Sequence, residues 1–294
     1  MAHATTQDAP ARLHERKSAM GRSYLWVYAF TLPALLGYWT YGLHPERLAG
    51  SELALRIYPF TFPWFARLHI IFGAAVLFAA LFKVLRTSWL PVFASVALLS
   101  FMAEHIGTGY GVPFGGYGYT GLLGLKVGGR VPALIPVSWF LMALPAWLMA
   151  RTAFPEGRLR RVLLGASWLV AWDLALDPAM SFLTSYWRWA EPGTYYGMPW
   201  VNLFGWLTTG LVLMAAIEMA ATRVALGRVG SRWAAGYFFA ILAMPVGMLI
   251  AAGVWGAVAT SLAGLLLCGV VTWREALLGL LPRRPSMTPE AVEA

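Results

Sequence analysis

Three carboxylates stand out because each lies in or beside a long apolar run: Glu104, Asp173 and Asp177. His105 follows the first directly, and His69 and Arg67 open another run. Ionisable groups are costly in hydrocarbon and mark functional sites more often than structural ones. Asp173 and Asp177 are four residues apart, so a continuous helix stacks them on one face, roughly 6 Å apart along its axis. A carboxylic acid desolvated beside another carboxylate keeps its proton at neutral pH and can deliver it to a bound substrate. Aromatic faces nearby would stabilise the cation that results. Such a group of acids suits protonation of an isoprenoid double bond followed by capture of a tertiary carbocation by water.

Each residue also has a plain structural use. Asp177 with Pro178 could be a helix N-cap and first helical position. Glu104 with Arg67 could be a packing pair, and His69 and His105 could be hydrogen-bonded interface residues. Glu218, near Arg223, reads as a solvated or snorkelling charge. The convergence of three acids with aromatic residues carries more weight than any one of them.

The elements that must position these groups are membrane spans. Of 294 residues, 59% are hydrophobic and only 12% charged, about half the charged share of a soluble chain. The chain reads as an all-α polytopic transmembrane bundle. Apolar runs fall at 24–43, 68–85, 89–102, 132–150, 162–182 and 201–221, and the run 233–273 is long enough for two helices turning near Gly253 and Gly256. That gives about eight spans. With both termini cytoplasmic, sixteen Lys and Arg residues fall inside and six outside, whereas seven spans weaken this bias. The expected organisation is a polar cytoplasmic segment 1–23, a helical domain 24–281 and a disordered tail 282–294. Residues 1–23 lack the apolar core of a cleavable signal peptide, so the first span is expected to act as the targeting signal.

Alternating chain direction places Arg67, His69, Glu104, His105 and Asp177 in one half of the bundle, the outer half in this orientation. The same half carries two unusual segments. Residues 107–129 hold ten glycines interleaved with Tyr110, Phe114, Tyr117 and Tyr119, and 186–200 read YWRWAEPGTYYGMPW. A flexible linker is a poor account of the first, because linkers are not studded with bulky rings. An aromatic belt is an alternative for the second.

Several chemistries lack their residues. The net charge of +9 is spread over short basic clusters that mark topology rather than nucleic-acid binding. The single cysteine, Cys268, permits no intrachain disulfide, cysteine zinc site or iron–sulfur site. There is no Walker-type phosphate loop, H-E-x-x-H or nucleophile elbow. Five histidines are too few for a membrane di-iron desaturase, and both candidates for a cytochrome lie at span ends.

The blocks AEHIGTGYGVPFGGYGYTGLLG (103–124), VPALIPVSWFLMALP (131–145), DLALDPAM (173–180) and YYGMPWVNLFGW (195–206) resemble the carotenoid biosynthesis family of membrane proteins. That family includes the CruF-type carotenoid 1′,2′-hydratases and the bisanhydrobacterioruberin hydratases. The resemblance covers the centre of the chain and is specific in the combination of motifs. It implies addition of water to the terminal 1′,2′ double bond of an acyclic ψ end group, giving a tertiary alcohol without a cofactor. The implied partners are a carotenoid in the bilayer of a bacterial cytoplasmic membrane and other enzymes of that pathway. On the physical argument, Asp173 or Asp177 is the proton donor, and Glu104, acting with His105, orients water. Tyr117, Tyr119, Trp189, Tyr195, Tyr196, Asn202 and Trp206 are expected to line the slot for the polyene end, with no metal ligands. Rival readings are an intramembrane prenyltransferase, whose aspartate-rich motifs D-x₃-D resembles, and a lipid or proton-coupled transporter.

Overall fold

The computed structural model describes residues 20–278; residues 1–19 and the expected tail 282–294 lie outside that range. Seven helices are long and apolar enough to cross a bilayer among the described residues. They are α3 (Trp64–Leu85), α4 (Leu90–Tyr110), α5 (Leu134–Ala153), α6 (Arg158–Asp177), α7 (Val201–Ala220), α8 (Ser231–Ala251) and α9 (Trp255–Leu278). Before them come α1 (Leu25–Gly37) and a short α2 (Glu52–Thr61). The protein is an α-helical membrane bundle.

The first expected span is a broken rod. α1 has 13 residues and passes directly into a π-helical turn, Tyr38–Gly42. At 1.5 Å per residue the α-helical part rises roughly 20 Å, short of the ~30 Å hydrocarbon core. The expected eight spans are thus seven full-length helices and this interrupted one. The turn expected near Gly253 is where α8 gives way to α9, with Gly253 at φ +70°. α4 runs on to Tyr110, so the glycine-rich segment begins inside a helix.

α5 forms the centre and packs against α3, α4, α6, α7, α8 and α9. Residues 139–150 are buried without a break, as expected of a helix that is apolar on every side. α6 and α7 approach closely at Gly210, where an added Cβ would lie 3.3 Å from Ala166.

The two aromatic segments meet at one end of the bundle. Strand β1 (Tyr117–Tyr119) pairs antiparallel with the later Trp187–Trp189 strand, aligning Tyr117 with Trp189 and Tyr119 with Trp187. Side chains alternate across a strand. The four rings therefore face the bundle, while Gly118 and Arg188 are exposed. Between them lies a hairpin of β2 (Lys126–Val127) and β3 (Val131–Pro132), which leaves the Trp187–Trp189 strand as β4. Arg67 of α3 ties down this region, donating from Nε to Leu122 O at 2.6 Å and from Nη2 to Gly121 O at 2.9 Å. The glycine-rich segment is ordered scaffold, and Arg67 is spent on its backbone rather than on Glu104.

Candidate active site

Beneath the β1–β4 ribbon is a cavity lined by residues of α3 to α8 and both aromatic segments. Glu104, Asp177, Asn202, Tyr117, Tyr119, Trp189 and Trp206 all face it.

Glu104 is buried in the C-terminal half of α4. Its Oε2 accepts from the Tyr117 hydroxyl and, at 2.7 Å, from the Tyr119 hydroxyl. Its Oε1 accepts from Trp139 Nε1 at 2.8 Å. The ribbon thus supplies two donors and α5 the third. Burial, then the adjacent Glu104 carboxylate, push both phenols well above their usual range, so both remain donors across the physiological range. Phe114 secures this wall by lodging against Gly107 of α4 and Gly205 of α7. An added Cβ would come within 2.8 Å of the ring at the first and 2.4 Å at the second.

The aspartates occupy the facing wall. The helix continues past Asp177 into a π-helical turn, Pro178–Phe182, so Asp177 does not start a new helix. Its Oδ1 accepts from Ser181 Oγ at 2.6 Å, Trp189 Nε1 at 3.2 Å and Trp187 Nε1 at 3.4 Å. Asn202 Nδ2 of α7 bridges the pair, donating to Asp173 Oδ2 at 2.9 Å and Asp177 Oδ2 at 3.0 Å. The i,i+4 spacing therefore does place both acids on one face. Asp173 lies behind Asp177, wholly buried, and its Oδ1 has no hydrogen-bond partner. No Lys or Arg is paired with any of the three acids among the described residues.

Indoles line the walls around the acids. Trp139 and Trp206 stack with centroids 4.1 Å apart, and Trp172 meets Trp206 edge-on at 5.5 Å. These faces are where a developing cation would be stabilised. Among the described residues there is no cluster of three or more His, Cys, Asp or Glu arranged to hold a metal ion.

Three expected site residues lie elsewhere. His105 is half-buried, stacked on Phe101 at 5.5 Å and set against Gly128, off the cavity. Successive helical residues point about 100° apart, so His105 cannot share the face that presents Glu104. Tyr195 donates to Leu174 O at 2.9 Å. Tyr196 packs edge-on against Phe182 and Tyr195. These two tyrosines brace the loop against α6 and the turn that follows it. His69 does line the cavity, but both ring nitrogens have neighbours, Thr31 Oγ1 at 3.4 Å and Ile241 O at 3.3 Å. Glu218 is paired not with Arg223 but with Arg161, in a bidentate contact at the opposite end. Trp139, Trp187 and Ser181 escaped the sequence reading. The available signal was that an indole N–H buried in lipid must find an acceptor.

The family described as carotenoid biosynthesis protein matches residues 65–270. A relative, the bisanhydrobacterioruberin hydratase of Haloarcula japonica, is 30% identical over 169 residues, which is 54% of this chain and 56% of that protein. The chain thus spans little more than half the length of this relative. No solved structure matches.

Proposed function

Since the chain belongs to the carotenoid biosynthesis protein family, we propose that it is a carotenoid hydratase acting on the terminal 1′,2′ double bond of an acyclic end group. One observation carries this reading. Glu104 and Asp177 share one aromatic cavity, Asp173 stands behind Asp177, and all three are held only by neutral donors.

The geometry divides the labour. Asp177 faces the cavity with Asp173 behind it, and like charges sharing one amide in a dry site favour holding a proton between them. Asp177 transfers that proton to the alkene: a C–H bond forms from the π pair, leaving a tertiary cation against the indole faces of Trp139, Trp172 and Trp206. Glu104, fixed by Tyr117, Tyr119 and Trp139, orients a water that forms the C–O bond, and it accepts the proton released. Return of that proton to the aspartates resets the site, and the net change is addition of one water. No organic cofactor is called for. The setting is the bacterial cytoplasmic membrane, with the polyene held in the bilayer and passed on to other enzymes of its pathway.

The test is expression in a lycopene-producing bacterium with pigment analysis. A pigment heavier by one water, absent for Asp177→Asn at normal protein levels, is the expected result. An unchanged pigment profile would overturn the proposal. The D-x₃-D spacing keeps a magnesium-dependent prenyltransferase as the second reading. An Asn202 amide bridging both carboxylates favours proton chemistry over that role, and activity abolished by chelation of magnesium would reverse the choice.

A further inference from the structure

A linear polyene whose end is enclosed here must pass the rest of its length between helices into lipid, because the β1–β4 ribbon covers the loop end of the cavity. A second, apolar fissure runs alongside, among α1, its π-helical turn, α2 and α3. The two spaces share a wall. On α3, Phe65 and Leu68 face the fissure, while Ala66, His69 and Ile70 face the cavity.

A tyrosine flanks this partition on each side. Tyr38 lines the fissure and stacks on Phe65 with centroids 6.0 Å apart. Tyr186 lines the cavity, its oxygen near the Ala66 amide, one residue along α3 from Phe65. Both are buried, yet neither hydroxyl makes a hydrogen bond of normal geometry. A buried hydroxyl without a partner costs about 1–3 kcal/mol, so packing alone is a poor reason to keep one on each side of this wall. Tyr38 also begins the π-helical turn, an irregularity that recurs at functional sites. α2, which contributes Tyr58 to the fissure, exposes Leu53, Ile57 and Phe60. These fall at i, i+4 and i+7, the stripe of a helix lying in the membrane interface.

We propose that this fissure is the subsite for the distal part of the substrate, and that the polyene passes from it into the cavity by displacing Tyr38 and Tyr186 at the partition. The identity of the substrate rests on the hydratase reading, whereas the route follows for any long apolar ligand of the cavity.

Gly37 offers the test. It lines the fissure in ordinary helical conformation, φ −62°, and an added Cβ meets nothing within 4 Å. Gly37→Trp therefore places an indole at the fissure with no clash at its Cβ. Gly50, equally open and outside the fissure, gives the matched control Gly50→Trp. The proteins are purified from lycopene-producing cells, and retained polyene is read by absorbance per protein. Wild type and Gly50→Trp are expected to retain it, and Gly37→Trp about tenfold less, equivalent to about 1.4 kcal/mol. Equal retention by Gly37→Trp, equal loss by Gly50→Trp, or no retention by wild type would overturn the proposal. Mass analysis of the retained pigment separates the two claims. Unhydrated polyene on wild type that Gly37→Trp loses would leave the route standing and remove the hydratase reading.

Discussion

Two glutamates near opposite ends of the bundle each accept from an indole of the same helix, yet they are neutralised in different ways. Glu218 takes Trp147 Nε1 at 3.0 Å, the bidentate Arg161, and Arg158 at 3.8 Å. Glu104 takes Trp139 Nε1 and two tyrosine hydroxyls, with no cation. An acid matched by a guanidinium is settled as a carboxylate and fastens α6 to α7. An acid matched by neutral donors can gain and lose a proton without breaking an ion pair. On the proposed reading, the cation beside the acid, rather than its burial, separates the structural site from the chemical one.

Substitutions can break this comparison. Asp177→Asn removes the acid facing the cavity while keeping its shape. It should lower hydration about a thousandfold, measured as hydrated pigment per unit of protein. Retained activity would end the assignment of Asp177 as donor. Glu218→Gln leaves Arg161 uncompensated and should destabilise the bundle by about 3 kcal/mol, seen as earlier loss of soluble protein on heating. Activity per folded molecule should not change, and a selective loss of turnover would dissolve the distinction between the two ends.

Smaller effects sharpen it. Tyr117→Phe and Tyr119→Phe each delete one neutral donor to Glu104 and should each cost about tenfold in rate, near 1.4 kcal/mol. A double variant no worse than either single would show that the two donors act as a unit. His105→Ala should change activity by less than about twofold, since the ring lies off the cavity. A large loss would restore a role for it in placing water.

Much of this arrangement could be read in the sequence because it depends on short-range periodicity. Hydropathy located the spans, and the i,i+4 spacing put Asp173 and Asp177 on one face. Alternating chain direction brought Glu104 to the same end as Asp177. The same logic, applied strictly, would have removed His105, which cannot point where Glu104 points. The remainder depends on contacts distant in sequence. Nothing local in GYGY or YWRW announces that they pair as strands β1 and β4. The Arg161–Glu218 match closes over 57 residues. α2, capped by Ser51 and carrying Pro59 in its last turns, lies between the apolar runs that hydropathy marks.

The most direct test is hydration in oxygen-labelled water. Membranes carrying the protein are incubated with lycopene, and the pigment is analysed by mass. The account predicts a tertiary alcohol that carries the label from wild type and none from Asp177→Asn. Lycopene returned unchanged by the wild-type protein, or an alcohol whose oxygen does not come from water, would contradict it.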